Sequence, residues 1–393
     1  MLGALANLLV LGLVGLSGAA MAGLVARAVA GSRERQKEWH EVVTRCGLVP
    51  MKTDRWTTLL SLQAQGGPVE ILAHEEAGGI QLEATVKGAP PDLADVVIRR
   101  ETLKLPGTRE VEIGHDVFDS AFLVQGTPRY LAALLDARTR RMLLEAGAET
   151  ALSLSGGRLR AQVKWDQLAR VLPLVVDLGR RLAEITDVPR SLEENVRRDP
   201  HPGVRLHSLL LLLQDYPGYP STEEALRIAR EDDSAQVRLE AARELRDVAT
   251  LAGMMARDSF ELAVAAARAL GETRNPAAEP PLLEALARDN PALQAAAAAA
   301  LGRAGSAGAV PPLLDLAESP SSPRELRRAA RQAVAEIQSR LAGATPGQLS
   351  LAATDAGQLS LAPAQAGQLS IAPHAVGELT VPPPPGVRTR SGG

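Results

Sequence analysis

The spacing of apolar and polar positions changes three times along the chain, and each change predicts a different kind of structure. Residues Leu2 to Ala26 carry no charge, and only Asn7 and Ser17 break a run of Leu, Val, Ala, Gly and Met. As a helix, such a run extends about 37 Å, enough to cross a hydrocarbon core of about 30 Å. It predicts a transmembrane anchor over residues 2–26. From about 36 to 187 the pattern becomes short and alternating: Thr57 to Gln63, Val69 to Ala73, Ile80 to Lys87 and Val96 to Leu103 read as antiparallel strands. Gly66-Gly67-Pro68 and Gly78-Gly79 supply the turns between them. A short helix over Trp39 to Cys46 precedes these strands. Beyond them come a strand at Ala121 to Val124, one helix or two over Arg129 to Glu145, and a hairpin of Thr150 to Leu154 with Leu159 to Val163. Asp166 is then expected to cap a helix whose Leu168, Leu172, Val175, Leu178, Leu182 and Ile185 keep a spacing of three or four. The whole reads as an α+β domain with an antiparallel sheet.

Charge sets the orientation of the anchor. No basic residue precedes the apolar run, whereas Arg27, Arg33, Arg35 and Lys37 come after it, against Glu34 and Glu38. The positive-inside rule then keeps the C-terminal side of the run in the cytoplasm, as a single-pass protein of the cell inner membrane. The competing expectation is a signal peptide cut at Ala20-Met21-Ala22, which would release a periplasmic binding protein.

Composition removes several classes of chemistry. With 43 basic and 46 acidic residues and a net charge of −3, there is no electrostatic footprint for nucleic acid. Arg outnumbers Lys 38 to 5, which reads as GC-rich codon usage rather than ligand recognition. One cysteine, Cys46, excludes an intramolecular disulfide and a Cys-based zinc site; beside Val42, Val43 and Leu48 it reads as a buried, inert thiol. The six histidines, at 40, 74, 115, 201, 207 and 374, show no helical metal-pair spacing. No metal, cofactor or catalytic residue is therefore assigned, and no nucleophile elbow, P-loop, dinucleotide fingerprint or HExxH is present. The one cluster open to a catalytic reading is Gly114-His115-Asp116-Val117-Phe118-Asp119, where His115 could serve as a base oriented by Asp116 or Asp119. The structural alternative is a turn in which Asp side chains bond their own backbone, flanked by core rings Phe118 and Phe122.

From about 190 to 342 a longer repeat appears. Five segments join a polar cap, an aliphatic anchor and an alanine-rich helix, with anchors at Val204, Val237, Leu262, Leu293 and Leu326, spaced by 33, 25, 31 and 33 residues. Shorter apolar helices, Glu224 to Arg230, Leu251 to Ala256, Pro281 to Ala287 and Pro312 to Ala317, precede the later copies. The joints Asp233-Ser234, Asp258-Ser259, Asn290-Pro291 and Ser319-Pro320 carry helix-starting residues. The 25-residue interval implies a shortened helix at Leu251 to Ala256.

The motif DxxxVRxxAAxxL at Asp233 to Leu245, with Pro-Leu-Leu-x-x-Leu at 281–286 and Pro-Leu-Leu-x-Leu at 312–316, resembles HEAT repeats, in the short form also present in phycobilisome lyases. That resemblance implies an all-α solenoid and a protein-binding surface, with Arg205 and Arg238 bonding between neighbouring units. The FDxxF pattern at Phe118 to Phe122, followed by the Leu-rich stretch ending Arg140-Arg141-Met142-Leu143-Leu144, resembles a domain of bacterial membrane-anchored proteins of unknown function.

Residues 343–393 form a tail, expected to be disordered, in which G-[QE]-L-[ST]-[LIV] recurs every 10 residues from Gly347, Gly357, Gly367 and Gly377. It reads either as a flexible tail or as four copies of a motif that adds as a strand to a partner's sheet edge. The expected protein is multidomain: a membrane-anchored scaffold or adaptor whose helical array binds a protein partner, with Arg243, Arg268, Gln294, Arg327 and Arg331 as contact residues. The alternative function is an enzyme, either lyase-like or a hydrolase using His115.

Overall fold

The computed structural model describes residues 34–54, 57–76, 79–100, 110–185, 187–342, 349–351 and 359–361. The expected anchor, residues 2–26, lies outside the described residues, as does most of the tail. Among the described residues no helix is long and apolar enough to cross a membrane. The chain divides into two compact units, Met1–Leu245 and Arg246–Gly393.

The first unit is built on an eight-stranded antiparallel sheet in the order β1-β2-β3-β4-β8-β7-β5-β6. Its strands are β1 (Val49–Thr53), β2 (Thr57–Ala64), β3 (Gly67–Glu76), β4 (Gly79–Val86), β5 (Val97–Arg100), β6 (Phe122–Gln125), β7 (Ala151–Ser155) and β8 (Arg158–Lys164). Strand β1 is not legible in the sequence, because Val-Pro-Met-Lys-Thr carries a proline and all five of its residues are exposed at the sheet edge. Hairpin β2–β3 runs in unbroken register from Thr57↔His74 to Ala64↔Gly67. The pleat puts Val69, Ile71 and Ala73 of β3, Leu82 and Ala84 of β4, and Leu159, Ala161 and Val163 of β8 into the core. Their neighbours face water in charged pairs, among them Glu83 with Arg160 at 2.8 Å and Glu70 with Lys87 at 3.0 Å.

Helix α1 spans 34–45, and α2 (Pro91–Ala94), α3 (Asp116–Ala121), α4 (Pro128–Leu134), α5 (Ala137–Glu149) and α6 (Leu168–Glu184) complete the α+β part. The stretch 129–145 is thus two helices, separated where Asp136 accepts the Thr139 N–H at 2.7 Å and restarts the helix. Helix α6 covers β2, β3, β4 and β8 with Val171, Leu172, Val175, Val176 and Leu178. Its approach is close: a Cβ on Gly66 would stand 1.4 Å from the Ala183 carbonyl oxygen. Contrary to the expectation from sequence, Asp166 does not cap α6; it sits within a 3-10 turn, Trp165–Gln167, and Gln167 precedes the helix.

Helical pairs come next: α7 (Val188–Arg198) with α8 (Pro202–Asp215), and α9 (Pro220–Ala229) with α10 (Ala235–Glu244), both pairs in the first unit. In the second unit α11 (Val248–Arg257) pairs with α12 (Phe260–Thr273), α13 (Glu279–Leu286) with α14 (Pro291–Ala304), and α15 (Val310–Glu318) with α16 (Arg324–Ala342). The shortfall behind the 25-residue interval falls on α10 rather than on α11. Helix α10 has 10 residues where α8, α12 and α14 have 14, while α11 matches the 10 of α9. The last helix also starts later than Ser319-Pro320 suggested: Ser319 ends α15, and α16 begins at Arg324 behind Pro323. In the tail, β9 (Leu349–Leu351) and β10 (Leu359–Leu361) pair antiparallel.

Candidate interaction surface

The helical pairs of the first unit are joined to helix α5 of its α+β part, and to one another, by a line of Arg–Asp contacts. Asp199, between α7 and α8, accepts on Oδ1 from Arg140 of α5 at 2.9 Å and from the His201 N–H at 3.0 Å. Its own backbone carbonyl accepts from Arg205 of α8 at 2.9 Å. One repeat later, Asp232 uses the same set. Its carboxylate accepts from Arg205 Nε and Nη2, each at 2.7 Å, and from the Ser234 N–H at 2.7 Å, and its carbonyl accepts from Arg238 at 2.6 Å. Both aspartates stand six residues before their arginine and 33 residues apart. Arg140, on a helix of the α+β part, therefore occupies the place that Arg205 holds for the next junction. The bidentate Asp232 pair holds the Arg205 guanidinium above its ordinary range, chiefly through its hydrogen bonds.

The structure therefore gives Arg205 the joining role that the resemblance implied, through Asp232 of the next repeat, whereas Arg238 donates to the Asp232 and Asp233 carbonyls in the loop before its own helix. Sequence reasoning missed Arg140 and Asp199. The D-x5-R pattern shared by 199–205 and 232–238 was the available signal for Asp199. None existed for Arg140, which sits 59 residues away from its partner. A second tie, between α7 and α9, is Glu224 accepting from Arg197 at 2.8 Å; the hydrogen bonds of Arg227 first and Arg197 second hold the Glu224 carboxyl down to about 2.

The His115 cluster is built as structure. The Asp119 carboxylate accepts the backbone N–H groups of Ile113, Gly114 and His115 at 3.2, 3.0 and 2.9 Å. It is engaged on its own turn and not on the imidazole. The ring itself caps α3, accepting the Phe118 N–H on Nδ1 at 3.2 Å, and packs 3.7 Å from the His201 ring, centroid to centroid. Burial, followed by the charges of His201 and Arg140, lowers the His115 pKa. Phe118 and Phe122 stack at 4.9 Å inside the core. A cleft of about 820 Å³ in this unit is walled by paired charges, including Arg181 with Asp136 at 3.1 Å, and its Ser191 hydroxyl donates to the Asp187 carbonyl. It presents no activated nucleophile. Among the described residues, no group of three or more His, Cys, Asp or Glu side chains could hold a metal ion. Cys46 is half-buried, and burial pushes its thiol up, away from the reactive thiolate.

In the second unit α12, α14 and α16 stack as one layer, with α11, α13 and α15 each packed on the following helix. Small residues set the spacing of that layer. A Cβ on Gly271 would stand 2.6 Å from Ala300 Cα, and one on Gly302 would stand 3.1 Å from Ala333 Cα. The run Ala295 to Ala300 thus serves close helix approach. Four of the five expected contact residues lie on this layer: Arg268 on α12, Gln294 on α14, and Arg327 and Arg331 on α16. They divide by role. Gln294 donates to the Leu286 carbonyl at 2.9 Å and Arg331 to the Ala317 carbonyl at 3.3 Å, so both close the ends of the preceding helices. Arg268 is exposed and Arg327 is half-buried. Arg243 belongs to α10 of the first unit, exposed and 3.6 Å from Glu240.

A comparison with curated proteins finds no match for the chain. Residues 248–335 match the family model described as HEAT repeats, so that the stretch from the start of α11 into α16 has HEAT-repeat character.

Proposed function

We propose that the protein is a membrane-anchored scaffold whose helical array captures a protein partner on the layer formed by α12, α14 and α16. The observation that carries this reading is the HEAT-repeat character of 248–335 coupled to a layer that stacks α12, α14 and α16 in series. Repeats of this kind present extended surfaces rather than enclosed pockets, which suits a macromolecular ligand. Arg268 and Arg327 are the side chains on that layer placed to meet an acidic or carbonyl-rich partner surface. The uncharged run 2–26 and the positive charge on its C-terminal flank support attachment to the inner membrane, with the later domains in the cytoplasm.

The test is affinity capture by the detergent-solubilised full chain, comparing wild type, Arg268→Glu/Arg327→Glu, and a chain truncated after residue 343. The double charge reversal should abolish stoichiometric capture of the partner while leaving helical content unchanged. Capture that survives the reversal but disappears with the tail would place binding in the tail and overturn the assignment to the array.

A further inference from the structure

The tail is the one periodic sequence that the scaffold reading leaves unused, and its pairing is specific. Strands β9 and β10 are two consecutive copies of the G-[QE]-L-[ST]-[LIV] motif, and they pair motif on motif: Leu349↔Leu361, Ser350↔Ser360 and Leu351↔Leu359. The register is centred, so that the middle residue of one copy faces the middle residue of the other. An antiparallel register centred in this way is self-complementary: any copy can pair with any other by the same rule, whether in the same chain or another. Two further copies stand at 367–371 and 377–381, in residues beyond those described.

We propose that the tail is a self-association element, through which two copies of this chain pair motif to motif. Three physical points carry it. Among the described residues each of these two strands has a partner on one side only, and its other row of N–H and C=O groups is a template for addition. Two strands of three residues are marginally stable alone, whereas addition of further strands stabilises a sheet. Repetition of the motif four times in each chain makes a second pairing effectively intramolecular once a first has formed, so weak individual contacts sum to avidity. Pairing of this kind is independent of what the helical array binds.

Register gives the test. Full-length chains in which the natural cysteine is replaced (Cys46→Ser) receive one new cysteine, at a motif centre (Ser350→Cys) or in a spacer (Asp355→Cys), and are oxidised mildly in detergent micelles. Centre-to-centre pairing brings two Ser350→Cys sites within disulfide reach across chains, so that variant should give a covalent dimer and the spacer variant should not. Adding Ser360→Pro, Ser370→Pro and Thr380→Pro, which remove backbone donors from the other copies, should weaken the dimer band. A chain with all four motif centres changed to proline (Ser350→Pro and these three) and no new cysteine should sediment as a smaller species than wild type. Equal crosslinking at centre and spacer, or a full-length chain whose sedimentation is unchanged by the four prolines, would overturn the proposal. So would a Ser350→Cys/Ser360→Cys chain that closes only within itself.

Discussion

The two units solve the same packing problem with different materials. In the first, a sheet and its covering helices bury branched and aromatic side chains, among them Ile71, Leu82, Phe118, Tyr130 and Val175, and a buried ion pair ties α5 to the junction of α7 and α8. In the second, the layer α12, α14 and α16 is packed through alanine and glycine, with fully buried Ala266, Ala267, Ala297, Ala298 and Ala300 and with helix backbones in near contact. The difference teaches where each unit is vulnerable. Side-chain removal damages a core built on large groups and a desolvated charge pair. Side-chain addition damages a core built on close backbone approach.

The largest effect should come from breaking the ion pair of the first unit. Arg140 and Asp199 are 2% and 0% exposed, so Asp199→Ala leaves a buried guanidinium without its carboxylate. Such a change costs about 3 to 5 kcal/mol. Denaturant unfolding followed by tryptophan emission, which reports this unit through Trp39 and Trp165, should show it as a lowered midpoint. Because Asp199 Oδ2 and Arg140 Nε have no hydrogen-bond partner, the pair itself is imperfectly satisfied. The double variant Arg140→Met/Asp199→Leu should therefore recover most of the loss, which separates a stranded charge from a missing contact.

A smaller effect is expected for addition in the second unit. Gly271→Val places a side chain where Ala300 Cα already stands at 2.6 Å, and overpacking of this kind costs about 1 to 3 kcal/mol. Hydrogen exchange should show protection lost in α12 and α14 and retained in β3 and β4. The same exchange experiment on Asp199→Ala should give the reverse pattern. If both variants lowered protection equally throughout, the contrast between the units would fail.

The smallest effect is a pH dependence confined to the first unit. His115 and His207 have pKa values lowered by burial, so the unfolded chain binds protons more readily than the folded one. Their contribution to stability is present above the unfolded value, near 6.5 for histidine, and is lost as pH falls through the lower folded values. Protonation of His115 Nδ1 also removes the acceptor for the Phe118 N–H, beside the positive charge of Arg140. A urea midpoint for the first unit that declines below pH 6.5, and declines less in His115→Asn/His207→Gln, is the expected result; a midpoint flat to pH 5 would remove the histidines from the account.

Local pattern carried much of the architecture. The alternation of Val69, Ile71 and Ala73 put β3 in a half-buried sheet, because the side-chain period of a strand is a property of its backbone. Repeat spacing announced the helical pairs, because each pair requires the same caps and anchors at the same interval. Asn290, with proline next to it, marked the start of α14 correctly. Errors arose where two local signals compete: at 319–324 two prolines offered rival starts for α16, and at 235–257 the spacing alone did not say which helix had lost residues.

What the sequence determined by itself is therefore the local geometry: the strand period of the middle region and the helical repeats with their caps and anchors. What only the tertiary structure decided is the identity of groups that meet across long separations. Arg140 reads in sequence as one of two consecutive arginines on an amphipathic helix, and nothing in its neighbours selects Asp199, 59 residues away, as its partner. Asp119 likewise reads as a possible orienter of His115 until the turn directs its carboxylate onto three backbone N–H groups. Periodicity is set by the backbone within a few residues, whereas burial and pairing of charge depend on which distant surfaces exclude water from one another.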